Sequence, residues 1–274
     1  MRNLATSGGA EQRVEFLVSN IVDYEKTARW VSIGWRLERA STLIGKIRER
    51  IPAAADAWDG KHPVIRAPWS DPTAYEVVGI DGYSWEYHDA HIGHLTLLAS
   101  EAIHHIRSAL DYVAYQLVLA DTGVAAEMTQ FPIVYKRKDF HREAQRRLPN
   151  IKAEHLALVE AVQPYEGKTW AGNLNKLSNR DKHKYPVDVS AFYTFTIDPS
   201  VPYLDPLGQE THRGYQIENA ALSFRFIDTK GSDGAELEVM PTLEAILIGA
   251  GNVVVDILEA LAVKEISIDR LPDG

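Results

Sequence analysis

Ile103, Ile106, Leu110, Val113 and Leu117 recur at spacings of three, four, three and four, the clearest helical repeat in the chain. Apolar side chains at that spacing share one face of an α-helix and need a neighbour to bury them. The repeat predicts a long helix from about 89 to 121, with Gly123 as its stop. Leu37, Ala40, Leu43, Ile44 and Ile47 predict another over 35–50, with Pro52 just past its end and Ala53 to Trp58 a loose continuation. A third covers about 241–263, where Leu243, Ile246, Leu247, Ala250, Val253, Val254, Ile257, Leu258 and Leu261 imply heavy burial. Gly249 and Gly251 lie inside that repeat. No strand precedes them, so they suggest close helix approach and not a phosphate loop.

Shorter helices are predicted at 139–148, at 151–162 behind an Asn150 N-cap, and at 170–184 with Leu174 and Leu177 inward. His155 falls on the inner face of the second of these, where a lone histidine is more often a satisfied core residue than a ligand. The pattern changes to β-prone runs in two places. The first is a hairpin over 63–80 around Ser70-Asp71-Pro72. The second comprises runs at 187–197, 215–229 and 235–241, with a Gly-Ser-Asp-Gly turn before the last. Phe131-Pro132-Ile133-Val134 reads as a short extended segment, because proline biases its predecessor away from helix. The order predicts an α+β fold: a helical bundle with an antiparallel β-sheet built from the early hairpin and the later strands. Residues 1–12 read as a disordered lead, and 13–270 as a single α+β domain.

Composition narrows the class. Over 274 residues, 45% hydrophobic and 24% charged is the balance of a soluble globular protein. No run of about 18 apolar residues suggests a membrane span, and the N-terminus lacks the apolar stretch of a signal peptide, so a cytoplasmic location is expected. The absence of cysteine excludes thiol catalysis and disulfides. A net charge of −9 argues against general nucleic-acid binding, yet residues 136–184 carry twelve Lys/Arg against six Asp/Glu. That basic segment is where RNA or another anionic ligand would sit. No membrane partner is expected, and an oligomer is left open. Serine-hydrolase motifs, Walker loops and dinucleotide fingerprints are absent, and no cofactor is expected.

On the long helix, His104, Arg107 and Asp111 fall together, roughly 40–100° round from Ile103, beside the apolar stripe. Arg107 and Asp111 are also an i,i+4 pair of opposite charge. The run Ile103-His104-His105-Ile106-Arg107-Ser108-Ala109-Leu110-Asp111-Tyr112 resembles a pattern of a bacterial family of uncharacterised proteins. Phe131-Pro132-Ile133, Gln163-Pro164-Tyr165 and Leu177-Ser178-Asn179-Arg180-Asp181-Lys182-His183-Lys184 follow in that family's order. The resemblance covers roughly residues 35–260, with His105 and Tyr112 standing where the pattern has Asn and His. A second likeness is to the HEPN superfamily of helical ribonucleases and toxin-like proteins. Asn179 and His183 match its Asn and His spacing, while Ser178 occupies the arginine position. That likeness implies RNA cleavage, with Arg107 as the cation that would replace the missing arginine.

Three readings stand side by side, and catalysis is left open. In the first, His104, Arg107 and Asp111 join Asp181, Lys182 and His183 in one polar site. His183 and His104 would be base and acid, Arg107 and Lys182 would hold a phosphate, and Asp111 or Asp181 would orient a histidine. In the second, the same residues form a non-catalytic network tying elements together in a structural or ligand-binding protein. The third is a metal site from His88, His91, His94 and the Glu101-x-x-His104 motif, but no second E-x-x-H is present to complete it.

Overall fold

The computed structural model describes residues 28–58, 63–66, 76–80, 88–125, 127–183, 187–203, 214–231, 234 and 236–261. The expected lead, 1–12, lies outside them, as does the Ser70–Pro72 turn. The elements run in chain order as α1 (Ala28–Trp58), β1 (Pro63–Arg66) and β2 (Glu76–Ile80), then a π-helical turn (His88–Gly93) that opens α2 (His94–Thr122). They continue as α3 (Arg137–Arg147), α4 (Ala153–Ala161), a 3-10 turn (Pro164–Glu166), α5 (Thr169–His183), β3 (Val189–Tyr203), β4 (Gly214–Lys230), β5 (Glu236–Glu238) and α6 (Val239–Ala260). The fold is α+β.

α2 is the axis of the bundle, with α1, α5 and α6 all packed against it. Its repeat is the reason: Ile103, Ile106, Leu110, Val113 and Leu117 are each fully buried. Burying each such side chain stabilises the fold by roughly 1.5–3 kcal/mol before chain entropy is counted. Ile33 to Ile47 of α1 and Leu243 to Leu258 of α6 supply the opposing surfaces of the same core. Gly123 ends α2 in the left-handed region (φ 77°), its N–H returning to the Leu119 carbonyl at 2.9 Å.

Two boundaries differ from the sequence expectation. α1 begins at Ala28, ahead of the expected 35, and carries the expected loose continuation past Pro52 as regular helix to Trp58. Proline removes one helical N–H and crowds the preceding turn. Beyond it, however, Ala54 is buried and Ala57 packs on the core, and that burial carries the helix onward. Asn150 is not the N-cap of α4. It adopts a left-handed backbone (φ 59°), and the cap position is Lys152, whose N–H is bound from another helix, as described below.

The strands are antiparallel and fall into two hydrogen-bonded groups. β1 pairs with β2, while β3, β4 and β5 pair in that order. β1 lies beside β4, so the hairpin neighbours the later strands without joining their ladder among the described residues.

Gly249 of α6 faces the indole of Trp170 on α5. A Cβ there would fall 2.6 Å from Trp170 Cγ and closer still to the ring-fusion carbons. The glycine therefore lets an aromatic ring lie directly on helix backbone, the close approach that its place in the repeat suggests.

Candidate functional site

One face of α2 carries polar side chains at Thr96, Ser100, Arg107 and Asp111. At 100° per residue these lie within one narrow sector. They serve two extended segments that arrive alongside the helix. The Val187 and Val189 N–H groups donate to Ser100 Oγ (2.9 Å) and Thr96 Oγ1 (3.1 Å), docking the start of β3. Further along, Arg107 and Asp111 grip the backbone of Phe131. Arg107 Nη2 donates to the Phe131 carbonyl at 2.7 Å, and the Phe131 N–H donates to Asp111 Oδ1 at 3.0 Å. The two side chains also bond each other, Nη2 to Oδ1 at 2.9 Å and Nε to Oδ2 at 3.3 Å. Arg107 is only 6% exposed.

Gln163 completes the arrangement from the other side. Fully buried, its amide nitrogen donates to the carbonyls of Pro132 (2.9 Å) and Val159 (2.8 Å), and its oxygen accepts from the Val134 N–H (2.8 Å). A buried peptide group without a partner costs free energy comparable to a lost hydrogen bond. Residues 131–134 form no strand of either sheet, so side chains supply what a neighbouring strand would. Arg107 and Asp111 take both groups of Phe131, Pro132 has no N–H to satisfy, and Gln163 takes the next carbonyl and the Val134 N–H. Three stretches distant in sequence, around Arg107, Phe131 and Gln163, thus meet in one latch.

The other candidates are placed differently. His104 points outward, exposed, in an edge contact with His105 (ring centroids 5.8 Å). His105 sits half-buried towards α1. Burial, with the charges of Arg36, His104 and Arg39, holds its pKa below the ordinary histidine value against the opposing pull of Glu101. Asp181, Lys182 and His183 form the last turn of α5, but their side chains lie outside the described residues. α5 itself packs against α2. Its preceding turn is tied to β4, with Arg180 donating to the Ile227 carbonyl (2.6 Å) and Lys176 to that of Lys230 (2.8 Å). The structure thus unites Arg107 with Asp111 and sets His104 apart from that pair. Glu101 pairs with Arg39 at 3.3 Å, and the His94 ring faces the Ala90 carbonyl at 2.9 Å. Among the described residues no three ligating side chains converge in the manner of a metal site.

A second buried network went unnoticed in the sequence. Asp121, near the end of α2, accepts from the His155 ring and from the Lys152 N–H, both at 2.8 Å. His155 is therefore a satisfied core histidine, and the α2 carboxylate serves as the cap of α4 that Asn150 was expected to be. Burial alone would raise the Asp121 pKa. The Lys152 N–H and the His155 ring, with their charges, outweigh it and hold the carboxyl below its usual value of about 3.8. A folded-state pKa lower than the unfolded one gives stabilisation that is complete above that value and is lost as pH falls through the folded pKa. Asp121→Asn should therefore lower stability near neutral pH by about 1–2 kcal/mol. The gap in melting temperature to wild type should close below about pH 4. A gap unchanged between about pH 7 and pH 3 would show that the charge is not responsible.

Beyond the latch, the chain turns at Tyr135 into α3. An open pocket of about 320 Å³ lies here, lined by Ile133, Val134, Tyr135, Lys136, Asp139, Arg142, Glu143 and Arg147. Its apolar floor is the far end of the latched segment. Glu143 bonds Arg146 at 2.7 Å and lies near Arg142 and Arg147. The Arg146 hydrogen bond, with the surrounding guanidinium charges, overcomes partial burial and depresses the Glu143 pKa. Lys136, Lys138, Arg142 and Arg146 are exposed around the pocket. Behind it, Arg137 bonds Glu166 and lies over the Tyr165 ring, which packs edge-on against Phe140.

Gln163, Thr96, Ser100 and Asp121 are the contributors that the sequence reading missed. The polar positions 96, 100, 107 and 111 share one helical sector, and that signal was available. Gln163 belongs to a stretch quoted for the resemblance, but nothing local marks its amide as a backbone partner.

Compared with protein families, curated proteins and solved structures, the chain matches none of them.

Proposed function

We propose that this chain is a non-catalytic binding protein whose ligand is anionic, RNA foremost, held on the basic face of α3. The pocket at the start of α3 carries the reading: it joins an apolar floor to the cationic side chains of Lys136, Arg142 and Arg147, of which Arg142 and Arg147 also lie against the Asp139 and Glu143 carboxylates. Arg107, the natural phosphate ligand in a catalytic arrangement, has Nε and Nη2 committed to Asp111 and the Phe131 carbonyl. Freeing it would leave buried polar groups without partners, so the latch suits a scaffold better than a reaction centre. The scaffold in turn fixes one wall of the pocket. No described helix is long and apolar enough to cross a membrane.

Fluorescence anisotropy with a labelled RNA oligonucleotide tests the reading. Wild type should bind at low salt, with an affinity that falls steeply as salt rises, because phosphate contacts release counterions. A Lys136→Glu, Lys138→Glu, Arg142→Glu variant should lose at least about tenfold while keeping its melting temperature. Equal binding by the two proteins would overturn the site. Metal-independent cleavage of RNA by wild type, abolished in a folded His183→Ala variant, would overturn the non-catalytic reading in favour of a nuclease.

A further inference from the structure

We infer that Tyr135 is a stacking platform for an unpaired nucleobase, so that the strand taken by the α3 pocket is single-stranded nucleic acid. This rests on the anionic-ligand reading above and narrows it.

Tyr135 is anchored at its far end. Its hydroxyl donates to the Gly172 carbonyl at 2.9 Å and lies 3.4 Å from Asn175 Nδ2, both on α5. Burial of that hydroxyl raises its pKa against the Asn175 hydrogen bond, so it stays a neutral donor. The ring edge lies close over Gly172, the position where any Cβ would touch it at 3.5 Å. The backbone on its N-terminal side is fixed too, since the neighbouring Val134 N–H is held by Gln163. Yet the residue is 46% exposed and lines the pocket. An aromatic ring pinned at both ends gives up little entropy when something stacks on its exposed part.

What stacks must present a flat π-face and bring negative charge. Lys136 follows directly in the chain, and Arg142 and Arg147 line the same cavity. Aromatic rings interleaved with cations, one for the base and the others for the backbone, are how single strands are held without sequence preference. A duplex keeps its π-faces stacked inside and offers Tyr135 nothing but phosphate. The cavity's 320 Å³ is at the small end for ligand pockets, room for one splayed-out nucleotide and not for a helix.

The test compares Tyr135→Leu and Tyr135→Phe with wild type, using labelled single-stranded RNA, single-stranded DNA of the same sequence and an RNA duplex. Far-ultraviolet dichroism and melting serve as folding controls. Leucine keeps the apolar bulk and removes the π-face, so single-strand affinity should fall roughly 5- to 100-fold. Phenylalanine keeps the face and should stay within about threefold. If leucine compromises folding, Tyr135→Trp, with a larger face, takes its place and should bind at least as tightly as wild type. The duplex should bind at least about tenfold more weakly than either strand. Tight binding of both single strands supports stacking without preference for the sugar, and tight binding of one alone supports stacking and identifies the natural strand. Equal single-strand affinity in Tyr135→Leu, or a duplex bound as tightly as a strand, would overturn the platform. In that case the charge-reversal variant, if still weakened, would leave the anionic-ligand reading standing. No binding of any nucleic acid by wild type would overturn both.

Discussion

Arg107→Ala is expected to lower the stability of the folded chain by about 3 kcal/mol, the lower end of the range for stripping one partner from a buried ion pair. Two groups lose a partner at once, and packing goes with them. The Phe131 carbonyl loses its donor, the Asp111 carboxylate keeps one N–H in place of three, and the guanidinium packing disappears. The lower end applies because the Asp111 side chain is 25% exposed, so water reaches it and offsets part of the loss. For a chain of this size each kcal/mol moves the melting temperature by roughly 2–4 °C, which places the shift near 6–12 °C. Arg107→Lys should fall between the two, because an ammonium keeps the charge but cannot bridge a carboxylate and a carbonyl with one rigid fork. A double-mutant cycle with Asp111→Ala should show strong coupling, since the two side chains act on one peptide group. Melting of Arg107→Ala within about 1 °C of wild type would show that the latch does not hold the segment.

Gly249→Val is expected to cost about as much for the opposite physical reason. A Cβ at 249 would overlap the Trp170 indole, and the ring lies against helix backbone with little room to move. Overpacking of this kind costs roughly 1–3 kcal/mol, with the β-branched valine at the upper end. Gly249→Ala should be milder. Alanine gains about 1 kcal/mol of helix propensity over glycine, which offsets part of the overlap. Reversal by the partner is the sharper check. In a Trp170→Ala background the obstacle is gone, so Gly249→Ala should turn from harmful to neutral or stabilising. If alanine at 249 costs the same with and without the indole, the overlap is not its cause.

The long helices could be read because their stabilising term is periodic. Ile103 to Leu117 and Leu243 to Leu258 repeat over several turns, and the structure buries them as the repeat requires. Boundaries were read less well because local signals compete there with distant contacts. Pro52 is a genuine local stop, overridden by the burial of Ala54. Asn150 is a good cap by type, but Asp121 binds the Lys152 N–H from 31 residues away. The candidate site was half legible. Spacing marks Arg107 and Asp111 as a pair, and the structure joins them. Their third partner is a backbone peptide group, which every residue carries, so no residue type could announce it. Gln163 is hidden for the same reason, since its partners are two carbonyls and an N–H. The outward turn of His104 was not legible either. It shares a flank with Arg107 on a helical wheel, yet one is exposed and the other buried, because only the arginine has a segment lying over it.

The latch also bears on how this chain behaves beside other copies of itself. Phe-Pro-Ile-Val is an extended, apolar run of the kind that recruits foreign strands and seeds aggregates when its main-chain groups are unclaimed. Here Arg107, Asp111 and Gln163 already take the Phe131 N–H and carbonyl, the Pro132 carbonyl and the Val134 N–H, and the proline offers no donor at all. The three side chains act as gatekeepers, blocking a sticky edge from within the fold. Loss of any one of them should leave a protein that is less stable and also, at equal stability, quicker to self-associate.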